Sequence, residues 1–161
     1  MKAVVAGTFD PITLGHTDVI ERASRLFDEV IVGVAESKGK NGKGTLFNLE
    51  ERVKLAQKEI SCLNNASAVP FTGLLVDFAR EQKAQAIVRG LRVTADFEHE
   101  YQLAMVNHYL DSDLEMVFIV SSPTLIHVSS SVAKEVALFG GDLSTMVSPA
   151  VEEALKNKVR L

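Results

Sequence analysis

The sequence predicts an α/β fold, a single-domain, doubly wound, five-stranded parallel sheet occupying residues 1–161. Three observations predict it. Short apolar runs of strand length alternate with segments in which apolar residues recur at the helical period. The strand runs are continuously apolar rather than alternating, the pattern of strands covered on both faces. The order β-α-β-α-β-α-β-α-β-α-α is that of right-handed crossovers in a parallel sheet, and 161 residues suit one domain.

The first strand is expected at residues 2–6 (KAVVA), and a helix at 17–27 with apolar positions 19, 20, 23, 26 and 27. A Val/Ile-rich second strand follows at 29–35, then a Lys/Gly-rich loop over 36–47. Asn48 followed by Glu51 signals a helix start of the capping-box type, and Leu49, Val53, Ala56, Ile60 and Leu63 mark its inward face. A third strand is expected at 66–71, a short helix at 74–82 and a fourth strand at 86–88. A longer helix follows at 96–110, with Phe97, Tyr101, Ala104, Met105 and Leu110 as inward positions. The fifth strand is expected at 114–120, and a helix at 130–138 stopped by Gly140-Gly141. Pro149 opens the last helix, where its missing N–H costs nothing.

Composition narrows the function. The 47% apolar content is that of a globular chain, not a disordered one. The formal net charge of −4 lacks the basic excess of a nucleic-acid binder. No apolar run approaches the roughly 18–20 residues that span a membrane, and the N-terminus does not read as a secretory signal. The one cysteine, Cys62, excludes an internal disulfide and fits a reducing cytoplasm; between Ile60 and Leu63 it is expected to be buried or half-buried.

Doubly wound sheets bind ligands beyond the carboxyl ends of their strands, so the residues there carry the chemistry. After strand one, Gly7 permits a sharp turn, Thr8 offers a hydroxyl, Asp10-Pro11 fixes a turn, and Gly15-His16 opens a helix whose free N–H groups favour an anion. After strand two, Lys38, Lys40 and Lys43 lie in a loop that fails the P-loop pattern, because Thr45 stands where lysine is required. After strand four, Arg89 and Arg92 straddle Gly90 and Leu91, and arginine grips phosphate in a bidentate way. Asp96 and Glu98 read as complements of a helix dipole. After strand five, Ser129-Ser130-Ser131 open a helix, one as its N-cap and the others with hydroxyls for a phosphate chain. His99 and His108 read as structural or surface residues; no protein metal site is expected, and Mg²⁺ would arrive with a triphosphate. Together these ends point toward one edge of the sheet, and at least four of them offer phosphate-binding chemistry.

Thr13-Leu14-Gly15-His16 resembles the T/H-x-G-H element of the nucleotidyltransferase superfamily, and Ser129–Ser131 with Lys134 resembles its second signature. More narrowly, GTFDPIT-x-GH at 7–16, FNLEER at 47–52, RGLR at 89–92, DFEHEYQLA at 96–104 and Gly140-Gly141-Asp142 resemble the bacterial phosphopantetheine adenylyltransferases over nearly the whole chain. That resemblance implies a Rossmann-like nucleotidyltransferase fold. It also implies transfer of an adenylyl group from ATP, with Mg²⁺, to 4′-phosphopantetheine, giving dephospho-coenzyme A and pyrophosphate. It assigns Thr8, Phe9, His16, Gly90, Leu91, Arg92, Glu100, Leu125, Ile126, His127, Val128, Ser129, Ser130 and Ser131 to ATP, and Thr8, Lys40, Leu75 and Arg89 to the acceptor. Counting from the strand selects Lys40; counting back from Leu49-Glu50 selects Lys43. His16, Lys40 and Arg92 are the expected catalytic residues. A cytoplasmic homohexamer, with coenzyme A as a feedback ligand, is implied as well.

Overall fold

The computed structural model describes residues 1–37 and 44–159. The strands are β1 (Lys2–Gly7), β2 (Glu29–Ala35), β3 (Ala66–Phe71), β4 (Ala86–Leu91) and β5 (Glu115–Val120). The helices are α1 (Leu14–Leu26), α2 (Leu49–Glu59), α3 (Leu75–Glu81), α4 (Thr94–Leu110), α5 (Ser130–Leu138) and α6 (Pro149–Val159). The strands form one sheet in the order β3-β2-β1-β4-β5, every pairing parallel. The winding reverses between β1 and β4, where a crevice opens at the carboxyl ends of a doubly wound sheet.

Adjacent β1 residues pack to opposite faces. Ala3 and Val5 join the larger core with Ile20, Ala56, Ala133 and Leu155; Val4 and Ala6 join the smaller one with Val76, Phe78 and Ile87. Both faces of the central strands are therefore covered, as the continuous apolar runs require. The α2 start is capped as its sequence predicts: Asn48 Oδ1 accepts the Glu51 N–H and Glu51 returns to the Asn48 N–H. Ser129 caps α5 by accepting the Val132 N–H, and Gly140 follows that helix at a φ of 70°.

Four expectations need correction. β4 extends to Leu91, because Arg89, Gly90 and Leu91 continue the ladder with Phe118, Ile119 and Val120; a polar side chain ends an apolar run without ending backbone pairing. α1 begins at Leu14, with Thr13 as N-cap, so the Gly15-His16 pair lies inside its first turn. The inward stripe of α4 is 96, 100 and 104, with Glu100 and Ala104 buried. Phe97, Tyr101, Met105 and Leu110 are exposed instead, since the large apolar residues 97, 101 and 105 sit one position round the helix from that stripe. Cys62 is exposed, because α2 ends at Glu59 and Cys62 lies in the turn beyond it.

Candidate active site

A cleft of about 350 Å³ lies over the β1–β4 reversal, walled by the ends of both strands, the start of α1 and the start of α5. Its floor is the Gly7-Thr8-Phe9 turn. Phe9 takes a left-handed φ of 48°, and its buried ring meets the His16 imidazole edge-on, with centroids 5.1 Å apart. Gly7 packs closely there: a Cβ on it would stand 3.1 Å from Phe9 Cζ, so the ring would have to give by a few tenths of an ångström.

Beneath the turn lies a buried Arg52, 1% exposed. Its Nη1 donates to the carbonyls of Thr8 (2.6 Å) and Ala35 (2.8 Å), and its Nε to that of Phe47 (3.2 Å). One cation thus ties together the ends of β1 and β2 and the approach to α2. Burial pulls the Arg52 pKa below the usual arginine value, while Asp10 and Glu36 oppose that shift; a guanidinium keeps its charge all the same. Asp10 is the second hub. Its carboxylate accepts the N–H groups of Leu46 (3.0 Å) and Phe47 (2.9 Å) and a 2.7 Å contact from Lys134 Nζ.

His16 is half-buried at the cleft edge, its Nδ1 3.0 Å from both the backbone N and the Oγ1 of Thr13. Its pKa falls to about 4, first through burial and then through the positive charges of Arg92 and Arg89. Each arginine is held by a carboxylate on α4. Arg89 pairs with both oxygens of Glu100, at 2.8 and 2.6 Å, and donates to the Ala6 carbonyl. Arg92 reaches both oxygens of Asp96, at 3.1 and 3.2 Å, and donates to the Val128 carbonyl. Burial pushes the Asp96 pKa up, but the hydrogen bonds and charge of Arg92 outweigh it and hold the carboxyl below its ordinary value.

Of the residues singled out from sequence, Thr8, Phe9, His16, Arg89, Gly90, Arg92, Glu100, Val128, Ser129, Ser130 and Ser131 all line this cleft. Leu91, Leu125, Ile126 and His127 are not part of its lining, although Leu125 and Ile126 lie in and beside the short 3₁₀ turn Pro123–Leu125 that leads to Val128. Leu75, half-buried, packs against the smaller core and is not part of the cleft lining. Lys40, with its neighbours Lys38 and Lys43, lies outside the described residues. Ser130 is not wholly available to a ligand, since its hydroxyl donates to the Pro11 carbonyl at 2.8 Å.

Sequence reading missed Arg52, and it took Asp10 for a turn residue and Asp96 for a dipole complement. Arg52 had a signal: it stands one turn before Ala56, a charge on an otherwise apolar helix face. Among the described residues no cluster of three His, Cys, Asp or Glu side chains is placed to hold a metal ion, and Asp96 and Glu100 are already engaged by arginines. Such a lining suits a cation carried on phosphate oxygens and water better than one caged by protein.

The arrangement has relatives. Residues 4–136 match the model of the cytidylyltransferase-like family. A phosphopantetheine adenylyltransferase of Methylacidiphilum infernorum is 50% identical over 162 residues, covering 99% of this chain and 92% of that protein. Another, from Thioalkalivibrio sulfidiphilus, is 51% identical over 157 residues, covering 98% and 97%. The chain belongs to the phosphopantetheine adenylyltransferase family. Solved structures agree on the fold. A putative nicotinate-nucleotide adenylyltransferase from Vibrio parahaemolyticus superposes with a TM-score of 0.73 at 21% identity, covering 99% of this chain and 96% of that one. A lipopolysaccharide core biosynthesis protein from Thermoplasma volcanium gives 0.57 at 24% identity, covering 76% and 98%. The Rossmann-like α/β architecture therefore persists well below the level at which family membership is read. The T-x-G-H and RGLR stretches of the adenylyltransferase resemblance are the segments that meet at the β1–β4 cleft.

Proposed function

We propose that this chain transfers the adenylyl group of ATP to 4′-phosphopantetheine, giving dephospho-coenzyme A and pyrophosphate in coenzyme A biosynthesis. The observation that carries the reading is the meeting of His16, Arg89, Arg92 and the Ser129–Ser131 helix start in one cleft, in a chain about half identical to named phosphopantetheine adenylyltransferases.

The reaction in this reading is a direct in-line displacement. A phosphate oxygen of the acceptor forms a bond to the α-phosphorus of ATP, the bond from that phosphorus to the bridging oxygen breaks, and pyrophosphate leaves. The acceptor is already an anion at neutral pH, so no protein nucleophile is required. Catalysis then rests on positioning and on stabilising charge as it builds. His16 donates to an α-phosphate oxygen, Arg92 and Lys40 offset negative charge, and the α5 start holds the outer phosphates. Glu100 and Asp96 each hold one of the two arginines in place by an ion pair. Arg89 belongs to the acceptor phosphate, with Thr8 between the two substrates and Leu75 toward the pantetheine arm. Gly90, Leu91 and the 125–128 segment serve the adenosine end. A Mg²⁺ arriving with the triphosphate would neutralise part of its charge.

The reading extends to a cytoplasmic homohexamer that binds coenzyme A as a feedback ligand. No described helix is long and apolar enough to cross a membrane, and the exposed apolar residues of α4 suit burial against further copies of the chain. The test is pyrophosphate release from ATP and Mg²⁺ with and without 4′-phosphopantetheine. Release that requires the acceptor, with dephospho-coenzyme A as co-product, is expected. Acceptor-independent release, or equal use of CTP, would overturn the substrate assignment.

A further inference from the structure

We propose that Asp18 is a positioning residue that sets the grip on the adenosine end of ATP, by fixing Ser122 at the start of the segment that leads from β5 to α5. The inference deepens the adenylyl-transfer reading and rests on it for the identity of the ligand.

The segment 121–128 meets the cleft only at its ends: Ser121 and Val128 belong to the lining, and 122–127 do not. Ser121 still follows the sheet, donating its N–H to the Leu91 carbonyl at 2.8 Å. Ser122 turns to α1 instead. Its hydroxyl donates to Asp18 Oδ1 at 2.9 Å and its N–H to Asp18 Oδ2 at 3.3 Å. Both bonds run to a carboxylate, which makes them stronger than bonds between neutral groups. Arg22, one turn along the same helix, donates to the Val120 carbonyl at 2.6 Å and lies 3.5 Å from Asp18 Oδ2. Among the described residues no other side chain hydrogen-bonds to residues 122–127.

A serine ahead of a helical turn commonly accepts an N–H of that turn as its cap. Ser122 stands in that place before the Pro123–Leu125 turn and makes no such bond. Its hydroxyl is committed to Asp18, 104 positions away in sequence. The turn is thereby fastened to the scaffold and not only to itself.

Backbone bonds pass the constraint onward. The Ser122 carbonyl accepts the Leu125 N–H at 2.9 Å, and the Leu125 carbonyl accepts the Val128 N–H at 3.0 Å. The far end has anchors of its own. Arg92 Nη1 donates to the Val128 carbonyl at 3.3 Å, and Ser129 caps α5. Loss of Asp18 therefore releases the stretch that carries Leu125, Ile126 and His127, and leaves the start of α5 in place. That stretch is the one given to the adenosine end, and the start of α5 is the one given to the outer phosphates. A stretch already held before the ligand arrives adds little ordering cost to binding, whereas a released one must be ordered by the ligand. Asp18 thus acts on affinity for the nucleoside and not on affinity for the phosphates.

The test compares ligands that carry the adenosine with one that does not. Asp18→Ala removes both bonds to Ser122, and alanine suits the interior of a helix, so the variant is expected to fold. It is expected to raise KM for ATP about tenfold, and in the reverse direction KM for dephospho-coenzyme A likewise. KM for pyrophosphate and for 4′-phosphopantetheine should stay within about twofold, and kcat within about threefold. Ser122→Ala keeps the N–H bond and loses the hydroxyl bond, so KM for ATP should rise only about threefold. Combining the two substitutions should add nothing to Asp18→Ala alone, and Ser122→Thr, which keeps the hydroxyl, should match the wild type. A folded Asp18→Ala protein with KM for ATP within about twofold of the wild type overturns the proposal. So does a KM for pyrophosphate that rises as much as that for ATP, because the whole cleft would then have loosened. If Asp18→Ala fails to fold, Ser122→Ala against Ser122→Thr decides, and equal KM values for ATP in the two overturn the proposal. Absence of acceptor-dependent pyrophosphate release by the wild type would defeat the adenylyl-transfer reading instead. Calorimetric binding of ATP and of pyrophosphate to the wild type and Asp18→Ala would then decide the role of Asp18 by the same contrast.

Discussion

A buried cation and a neutral histidine set the behaviour of this site at the scale of single residues. Arg52 donates to three backbone carbonyls, those of Thr8, Ala35 and Phe47, the last of which also accepts the Thr45 hydroxyl. Arg52→Met keeps the volume of the stem but takes this donor from the Thr8 and Ala35 oxygens, and each orphaned buried group costs about 1–3 kcal/mol. We expect a loss of about 3 kcal/mol or more, read as a lower urea midpoint at unchanged m-value. His16 carries the second residue-scale prediction. Its folded pKa of about 4 lies below the ordinary 6.5, so between these values the unfolded chain binds the proton first. The contribution of His16 to stability is therefore complete above pH 6.5 and is lost as pH falls toward 4. A shift of this size corresponds to roughly 3 kcal/mol. Urea titrations at pH 7 and pH 4 should show a smaller pH-dependent loss for His16→Gln than for the wild type; equal losses would remove His16 as the cause. His16→Ala should fold, bind ATP and lose roughly 10²–10³ in turnover.

Elements are fitted to one another more tightly than their sequences advertise. Gly33 lies in the middle of β2, where a valine would raise strand propensity. A Cβ there would stand 2.5 Å from the Phe78 ring and 3.2 Å from Phe71, two rings stacked 4.4 Å apart. Gly33→Ala must push that pair aside, and overpacking of this kind costs about 1–3 kcal/mol; thermal unfolding of the variant would show it, and an unchanged Tm would mean that the aromatic pair yields freely. The element pattern itself was legible, because β1 and β2 are continuously apolar and the capping residues of α2 and α5 announce their helices. So was the location of the candidate cleft, since Arg89 and Arg92 lie near and just beyond the end of β4, and His16 and the serines follow β1 and β5. Long-range partners were not legible. Nothing local says that Asp10 faces Lys134 across 124 positions, or that Arg52 reaches back 44 positions to Thr8. The inward face of α4 was misread for a related reason. Periodicity finds the large apolar residues, but the sheet side of this helix is chosen by Glu100 and Asp96, which bind the arginines of and just beyond β4.

At the scale of the whole molecule, the apolar residues on α4 suit the proposed homohexamer. Phe97, Tyr101, Met105, Val106 and Tyr109 are exposed, Tyr109 to 89%, on a helix whose Asp96 and Glu100 line the candidate cleft. A monomer rarely leaves a contiguous apolar patch of this kind in water, and in a closed homo-oligomer the same patch is buried against other copies. The helix that orients Arg89 and Arg92 on one side would then be braced by neighbouring subunits on the other, so that assembly and catalysis share α4. Light scattering of the purified chain should give about six times the 17.5 kDa chain mass. Placing charges in the patch with Tyr101→Glu and Met105→Glu together should lower that mass, because two buried, unpaired carboxylates cost more than the contacts return. Turnover should fall along with it if α4 needs its neighbours to hold the arginines, whereas a wild-type protein that runs as a monomer at full activity would sever the α4 patch from both assembly and catalysis.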